Sequence, residues 1–162
     1  MKTSKLITII LFSIFLCNGL NAQVKNTTTL KKGIYHIVNA GGLALEPNNP
    51  TVRSNVFLKK FNRSGMQKWE VIPQKDGSYL FKFYESEHYL QPYPPNRDHT
   101  PYIDEKSSFT LVAVKDTDTY WNVKSKTLRG DAMRAYHDYF NEIRFDPLED
   151  NKTFKWEFIL AE

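Results

Sequence analysis

Residues 65–73 read GMQKWEVIP, and this stretch decides how the rest of the chain is interpreted. If a strand begins here, Gln67 and Trp69 point the same way, because residues two apart on a strand share a face. A tryptophan in a strand is expected in the core, so Gln67 is expected there too. An unpaired buried amide costs about 1–3 kcal/mol, so Gln67 needs hydrogen-bond partners. The pair therefore predicts a structural device at the start of a strand.

Short strand-like runs fill the chain from residue 33 onward. They carry aromatic and β-branched residues and are separated by turn sequences such as KDGS at 75–78 and KDTD at 115–118. We find no segment with the period of an amphipathic helix. Twelve such runs predict an all-β fold.

The runs fall into three similar units. The first strands are GIYHI at 33–37, GSYLF at 77–81 and DTYW at 118–121. The second strands are LAL at 43–45, YL at 89–90 and TL at 127–128. The fourth strands are QKWEV at 67–71, FTLVA at 109–113 and FKWEF at 154–158. Three pseudo-repeats of about 42 residues with four strands each predict a twelve-stranded β-trefoil, a barrel capped by hairpins.

The first 22 residues predict a secretory signal peptide. Lys2 and Lys5 precede an apolar run at 6–17, and cleavage is expected after Ala22. The apolar run is too short to span a bilayer, which takes about 20 residues. We therefore expect a secreted protein, with residues 23–30 as a flexible leader and residues 31–162 as one β-trefoil domain.

Composition narrows the classes of function. The only cysteine, Cys17, is expected to leave with the signal peptide, so no disulfide or thiolate metal site is predicted. Losing Lys2 and Lys5 lowers the formal charge from +4 by two, to +2, a small surplus for a protein dedicated to nucleic acid. No second apolar stretch is long enough to cross a membrane. We therefore expect no nucleic-acid partner and no membrane span.

The repeat resembles that of the ricin B-chain type of β-trefoil. The resemblance is carried by GIYHIVNAGGLALEP at 33–47, NVFLKKF at 55–61 and MQKWEVIP at 66–73. These stretches are similar to the family's G-x-Y-x-I-x-N, L-x-L-D and Q-x-W motifs. The resemblance covers residues 33–161 and is clearest in the first unit.

The resemblance implies structural roles for the opening pair. Trp69 would pack in the shared core, and the Gln67 side chain would bond backbone at the strand bend. Trp156 and Leu111 would be the equivalent core positions in the other units. Phe109 and Phe154 would stand where Gln67 stands, so the glutamine device would occur once.

The resemblance also implies a sugar site in each unit. Lectins of this family use an Asp after the second strand, a Gln and a stacking aromatic on the third strand, and an Asn near Q-x-W. In the first unit these positions fall on Glu46, Leu58, Lys60 and Met66.

The other two units depart further from that pattern. In the second unit the positions fall on Gln91, Tyr102 and Asp104, and in the third on Gly130 or Asp131, Arg144 and Asp146. No unit keeps the full set, so carbohydrate binding at a degenerate or shifted site is expected. The candidate sugar-binding residues are Glu46, Lys60, Gln91, Tyr102 and Asp131. A displaced site could use Tyr89, Tyr93, Tyr102, Tyr136 or Tyr139.

A second hypothesis is inhibition of a secreted protease. β-Trefoil inhibitors of the mycocypin-like group share the architecture and act through variable loops. The loop QPYPPNRDHT at 91–100 is stiffened by prolines and presents Tyr93 and Arg97. The loop at 131–140 carries Tyr136 and Tyr139.

Catalysis is not expected from this sequence. The four histidines are spread over different units of the chain, and none is close to the carboxylate and nucleophile that a catalytic triad requires. Metal-ligand spacings are absent. We therefore predict a non-catalytic monomer without metal or cofactor, which binds a glycan or a secreted protein.

Overall fold

A computed structural model describes residues 29–93, 101–136 and 141–161. These residues form twelve strands, as predicted. The first unit holds β1 (Gly33–Asn39), β2 (Leu43–Pro47), β3 (Val56–Lys60) and β4 (Trp69–Pro73). The second holds β5 (Tyr79–Phe83), β6 (Tyr89–Gln91), β7 (Tyr102–Asp104) and β8 (Phe109–Ala113). The third holds β9 (Tyr120–Ser125), β10 (Ala132–Ala135), β11 (Ile143–Asp146) and β12 (Trp156–Leu160). Two 3₁₀ turns, Gly65–Gln67 and Lys152–Phe154, precede β4 and β12.

Six strands close into a barrel. Antiparallel pairing runs from β1 to β4, β5, β8, β9 and β12, and β12 pairs with β1 again. The other six strands form three hairpins, β2–β3, β6–β7 and β10–β11, and each hairpin is attached to the first strand of its unit. This is the predicted β-trefoil. In the described part of the chain no helix is long and apolar enough to cross a membrane.

The barrel core is built from large rings. Trp69 and Trp156 are fully buried, and each indole N–H donates to a backbone carbonyl of its own unit, Leu45 O at 3.2 Å and Met133 O at 2.8 Å. Phe81 stacks on Phe109 with 5.0 Å between ring centroids. The two indole hydrogen bonds occupy equivalent places, so the pseudo-symmetry extends to side-chain bonding.

The strand register corrects the alignment of the second unit. Trp69 pairs with Tyr35 and Phe83, and Phe109 pairs with the equivalent residues Tyr79 and Ser125. Phe109, not Leu111, is therefore the counterpart of Trp69. Phe109 is fully buried, whereas Leu111 is only partly buried at the edge of the core.

The register also corrects the second strand of the third unit. Thr127 and Leu128 lie in a turn, where both backbone N–H groups donate to the Ser125 hydroxyl oxygen. The strand is Ala132–Ala135, inside the loop predicted at 131–140. The sequence does not show that the Ser125 hydroxyl satisfies these backbone N–H groups and so stabilises a turn. Threonine and leucine are also compatible with a strand, and the sequence therefore predicts one at residues 127–128.

Gln67 makes the hydrogen bonds that its burial requires. Its side-chain oxygen accepts from the backbone N–H of Asn62 at 2.9 Å, and its amide nitrogen donates to Lys60 O and to Glu46 Oε2, each at 2.9 Å. The residue has no exposed surface. The amide thus ties the end of β3 to the second strand of its own unit. Phe154 takes this position in the third unit and Ser107 in the second.

Candidate functional site

The outward faces of the three hairpins are equivalent surfaces. Strand register places Glu46, Gln91 and Arg134 at one equivalent position, each one residue after a buried apolar residue of the second strand. Directly across from them on the third strand lie Phe57, Tyr102 and Arg144. We refer to these surfaces as the first, second and third hairpin faces.

On the first hairpin face, the candidate carboxylate is already engaged. Glu46 accepts a hydrogen bond from Gln67 and is partly buried, with Phe57 opposite it. Leu58 is 1% exposed and points into the core, so it cannot meet a ligand. Lys60 pairs with Leu43, and strand alternation places both on the opposite side of the hairpin from Glu46. The structure therefore brings Glu46 beside Phe57 instead of beside Leu58 and Lys60.

Met66 does not supply a polar group either. Its side chain is partly buried and packs against the core cluster. The first hairpin face thus combines one carboxylate, one ring and the Gln67 amide.

The second hairpin face gathers polar groups and rings most densely. Gln91 lies directly opposite Tyr102, and Tyr89 lies directly opposite Asp104, so all four side chains share the outward face. The ring of Tyr93 meets that of Tyr102 edge to face, with 5.3 Å between centroids. An amide, a carboxylate and three aromatic rings therefore converge on one short hairpin.

Two cations border the second hairpin face. Arg53 Nε lies 3.5 Å from Asp104 Oδ2, and Lys106 Nζ lies 5.4 Å from the ring centroid of Tyr89. The Asp104 carboxylate is therefore oriented by a guanidinium without being fully covered, with 21% of its side chain exposed. This leaves a negative acceptor at the edge of the rings.

The interior edge of the second hairpin face has an unmet hydrogen bond. The Gln91 Oε1 atom is buried, and among the described residues it has no donor. Burial raises the pKa of the Tyr102 hydroxyl, and the nearby Asp104 carboxylate raises it further, so Tyr102 stays a neutral donor at physiological pH. A neutral tyrosine hydroxyl can both donate to and accept from the hydroxyl groups of a ligand.

On the third hairpin face, Arg134 stands where Glu46 and Gln91 stand. Asp131, the predicted candidate, lies before β10, where its N–H donates to Leu128 O and its carbonyl accepts from Ser125. The structure does bring the candidate Tyr136 onto this face, beside Arg144 and Asp146. In the third unit, the position that the family pattern gives to an acidic residue is therefore occupied by the positively charged Arg134.

A buried histidine lies behind the first hairpin face. His36 is 3% exposed, its Nδ1 donates to Gln67 O at 3.0 Å, and its ring packs edge to face on Phe61 at 5.1 Å. In the third unit Asn122 takes the equivalent place and donates to Phe154 O at 3.0 Å. Burial lowers the pKa of His36, against the opposing effect of the bond to Gln67, and the charges of Lys68 and Arg63 lower it further.

This lowered pKa gives stability a defined pH dependence. Below the ordinary value of 6.5 the unfolded chain binds a proton at His36 that the folded chain does not, so the free energy of unfolding should fall as pH drops from 6.5 towards the folded pKa. His36→Asn, which copies Asn122, should flatten this part of the profile. Urea unfolding between pH 8 and pH 5 measures both proteins, and identical slopes would contradict the assignment.

A cleft of about 660 Å³ lies apart from these faces. It is lined by residues 113–116, Asn122, residues 148–150 and Lys155. Lysines and acidic residues alternate there and no aromatic ring is present, so it lacks the flat apolar surface on which a sugar stacks. Within the described ranges, no three His, Cys, Asp or Glu side chains are grouped as metal ligands.

The two candidate inhibitory loops are only partly visible. Arg97 and Tyr139 lie outside the described residues, so their predicted role stays a prediction. Tyr93 and Tyr136 are partly buried and packed against Tyr102 and Arg134, which ties them to the hairpin faces.

Sequence reasoning missed several residues of these faces. Phe57 was missed because the sequence alignment used Leu58 and Lys60, which lie on the opposite face of β3. Arg134 was missed because the second strand of the third unit was aligned on residues 127–128. Arg53 reaches the second hairpin face from a loop of the first unit, and a positive φ of 62° sets its backbone there. No local pattern could have indicated such a contact between units.

Comparison with known proteins supports the fold. No protein-family profile and no curated protein matches the sequence. Among solved structures, the Rhizoctonia solani agglutinin superposes with a TM-score of 0.70 at 14% identity, covering 81% of this chain and 96% of that one. The Macrolepiota procera ricin B-like lectin, solved in complex with lactose, gives 0.70 at 9% identity, covering 82% and 99%. The designed threefold-symmetric protein ThreeFoil gives 0.67 at 16% identity, covering 78% and 98%.

The same fold also occurs inside longer proteins. In an endo-β-galactosidase from Clostridium perfringens the match covers 32% of that chain, at 17% identity and a TM-score of 0.64. In a mosquitocidal holotoxin it covers 18%, at 11% identity and a TM-score of 0.70. At these identities the likeness concerns architecture. The chain is a β-trefoil with the fold of the ricin B-like lectins.

Proposed function

We propose that the protein is a secreted, monomeric, non-catalytic β-trefoil that binds carbohydrate through the second hairpin face. The observation that carries the proposal is the convergence of Gln91, Asp104 and the rings of Tyr89, Tyr93 and Tyr102 on one hairpin. The lectins that share this fold support a glycan as the ligand class.

The chemistry of this face suits a sugar ring. The tyrosine rings offer apolar surface for the C–H face of a pyranose, and the Asp104 carboxylate accepts hydrogen bonds from hydroxyl groups with the strength of a charged acceptor. The Arg53 guanidinium lies beside Asp104, as an exposed ion pair that leaves the carboxylate accessible to a ligand.

A glycan array followed by titration of the best ligand tests the proposal. On protein without residues 1–22, Tyr102→Ala should weaken binding about tenfold or more, since a buried aromatic contact contributes about 1.5–3 kcal/mol. Asp104→Asn should weaken binding about tenfold, because it removes a charged acceptor at nearly constant volume. Tyr84→Ala is the matched control, because Tyr84 is 51% exposed and outside the face.

The same titration separates the first and second hairpin faces. Glu46→Ala should leave affinity for the best ligand within about twofold. If Glu46→Ala abolishes binding and Tyr102→Ala does not, the site belongs to the first hairpin face. Recovery of unchanged saccharide after incubation checks that no catalysis occurs.

The absence of binding to any glycan on the array would count against the proposal. Inhibition of a secreted protease that Arg97→Ala removes would then replace it with the inhibitor function. The two outcomes are separable because Arg97 lies outside the set of residues that defines the second hairpin face.

A further inference from the structure

The loop between β2 and β3 of the first unit lies beside the second hairpin face. Residues 48–53 are all exposed, and they lie between the buried Pro47 and Ser54. The Arg53 N–H donates to Ile103 O at 2.7 Å, and the Ile103 N–H donates to Ser54 O at 3.0 Å. The loop of one unit is therefore attached by its backbone to β7 of the next.

Hydrogen bonds within the loop also fix its shape. The Asn49 N–H donates to Ser54 Oγ at 2.9 Å, and Asn49 Oδ1 accepts from the Thr51 N–H at 3.0 Å. The Ser54 N–H donates to Thr51 O at 3.2 Å. A loop braced in this way loses little conformational entropy when it contacts a ligand.

Arg53 is the residue of this loop that reaches the second hairpin face. Its Nε lies 3.5 Å from Asp104 Oδ2, and 82% of its side chain is exposed. Its φ of 62° is in the left-handed region, which costs conformational energy for a residue with a side chain. Because an exposed ion pair contributes little to stability, the pair alone does not explain why Arg53 is held there. Backbone strain of this kind is often found beside ligand sites.

Asp104 and Arg53 place an acceptor and a donor side by side. An ionised carboxylate only accepts hydrogen bonds, and a guanidinium only donates them, whereas a sugar hydroxyl does both. One hydroxyl of a sugar ring can therefore donate to Asp104 while the neighbouring hydroxyl accepts from Arg53. A sugar that covers Arg53 without offering an oxygen would leave an N–H group desolvated and unpaired, which is penalised.

We propose that Arg53 is a specificity-determining residue of the second hairpin face, and that Asp104 and Arg53 together select saccharides with two adjacent free hydroxyl groups. This inference rests on the proposed function, because Asp104 belongs to the same face. It adds a contact from the first unit to a site otherwise built from the second. The rings of the face hold the sugar, and the Asp104–Arg53 pair distinguishes one sugar from another.

Sugars that lack one hydroxyl group test the proposal. The probes are methyl galactoside, methyl glucoside, methyl mannoside and lactose, each beside its set of monodeoxy derivatives. For at least one probe, loss of one hydroxyl should weaken binding to the wild-type protein about tenfold, and binding to Arg53→Asn less than about twofold. Titration calorimetry measures both affinities. Asparagine suits the position because it tolerates a left-handed backbone and lacks the guanidinium.

Arg63→Asn is the matched control. Arg63 is exposed, belongs to the same unit and has a φ of 61°, but its guanidinium carbon lies 5.9 Å from the ring centroid of Phe61. This variant loses the same charge and should keep the tenfold effect. Urea unfolding midpoints of both variants should match that of the wild-type protein, which excludes a structural cause. If Arg53→Asn binds too weakly to titrate, Arg53→Lys, which keeps a positive donor, gives the same comparison with part of the discrimination retained.

The outcomes separate this inference from the proposed function. If every missing hydroxyl costs Arg53→Asn as much as the wild-type protein, while Tyr102→Ala still weakens binding, the inference is overturned and the proposed function stands. If no probe binds, or if Tyr102→Ala binds the probes as tightly as the wild-type protein, both fail.

Discussion

Replacing Trp69 with alanine is expected to lower the free energy of unfolding by about 3–5 kcal/mol. Trp69 is fully buried and lies where β4 pairs with both β1 and β5, packed against Phe83 at 5.5 Å between ring centroids. Its removal leaves a cavity in the barrel and an unbonded carbonyl at Leu45, which now accepts the indole N–H.

Urea unfolding followed by far-UV circular dichroism measures this loss, because a single domain of this size commonly unfolds in one transition. Trp121→Ala is the matched control. Trp121 lies in the same barrel but is partly exposed, so its loss should be clearly smaller. A loss below about 1 kcal/mol for Trp69→Ala would be too small for a filled barrel centre.

Phe109→Ala should destabilise the protein almost as much, by about 3–5 kcal/mol, and Leu111→Ala by less than half of that. Phe109 is fully buried, stacks on Phe81 at 5.0 Å and lies 6.0 Å from Phe145. Leu111 touches only the edge of the core. The pair therefore tests which residue of β8 is the counterpart of Trp69.

The midpoints of urea unfolding for the two variants give the comparison directly, provided that the slopes of the transitions agree. Equal losses would contradict the register, and a larger loss for Leu111→Ala would restore the alignment made from sequence. Thr110→Ala, on the other face of the same strand, serves as the control for a change in strand propensity.

The fold was predictable because its signals are repeated. The G-x-Y start at residues 33 and 77 and the K-W-E motif at residues 68 and 155 mark units that share one architecture. Their spacing predicts three units even where the second strand of the third unit is misplaced. That strand, AMRA, has little β-propensity, so packing rather than local preference makes it extended.

The register could not be derived from sequence in the same way. In FTLVA, residues 109 and 111 are both apolar and share a face, so alternation permits either one at the barrel centre. Pairing of Tyr79 with Phe109 decides between them. A shift of two residues is invisible to a pattern with a period of two.

The residues of the candidate site also fall into two groups, those that the repeat could predict and those that required the structure. Gln91, Tyr102 and Asp104 were reachable from the repeat, because they fall at the positions of the second and third strands to which the repeat assigns them. Arg134 was missed because its strand was missed. Arg53 and Asp104 come from different units, and only closure of the barrel brings them together.

Closure of the barrel also fixes when the protein can complete folding. β1 pairs with β12 from Tyr35 opposite Leu160 to Asn39 opposite Trp156. The first strand of the chain therefore cannot complete its pairing until the last strand has been synthesised. Until β12 is delivered, β1 and β9 each present an open edge to which strands of other chains can add. A chain shortened before Trp156 is therefore expected to aggregate during synthesis, and a slow final step should limit refolding of the intact chain, as contacts between distant residues require.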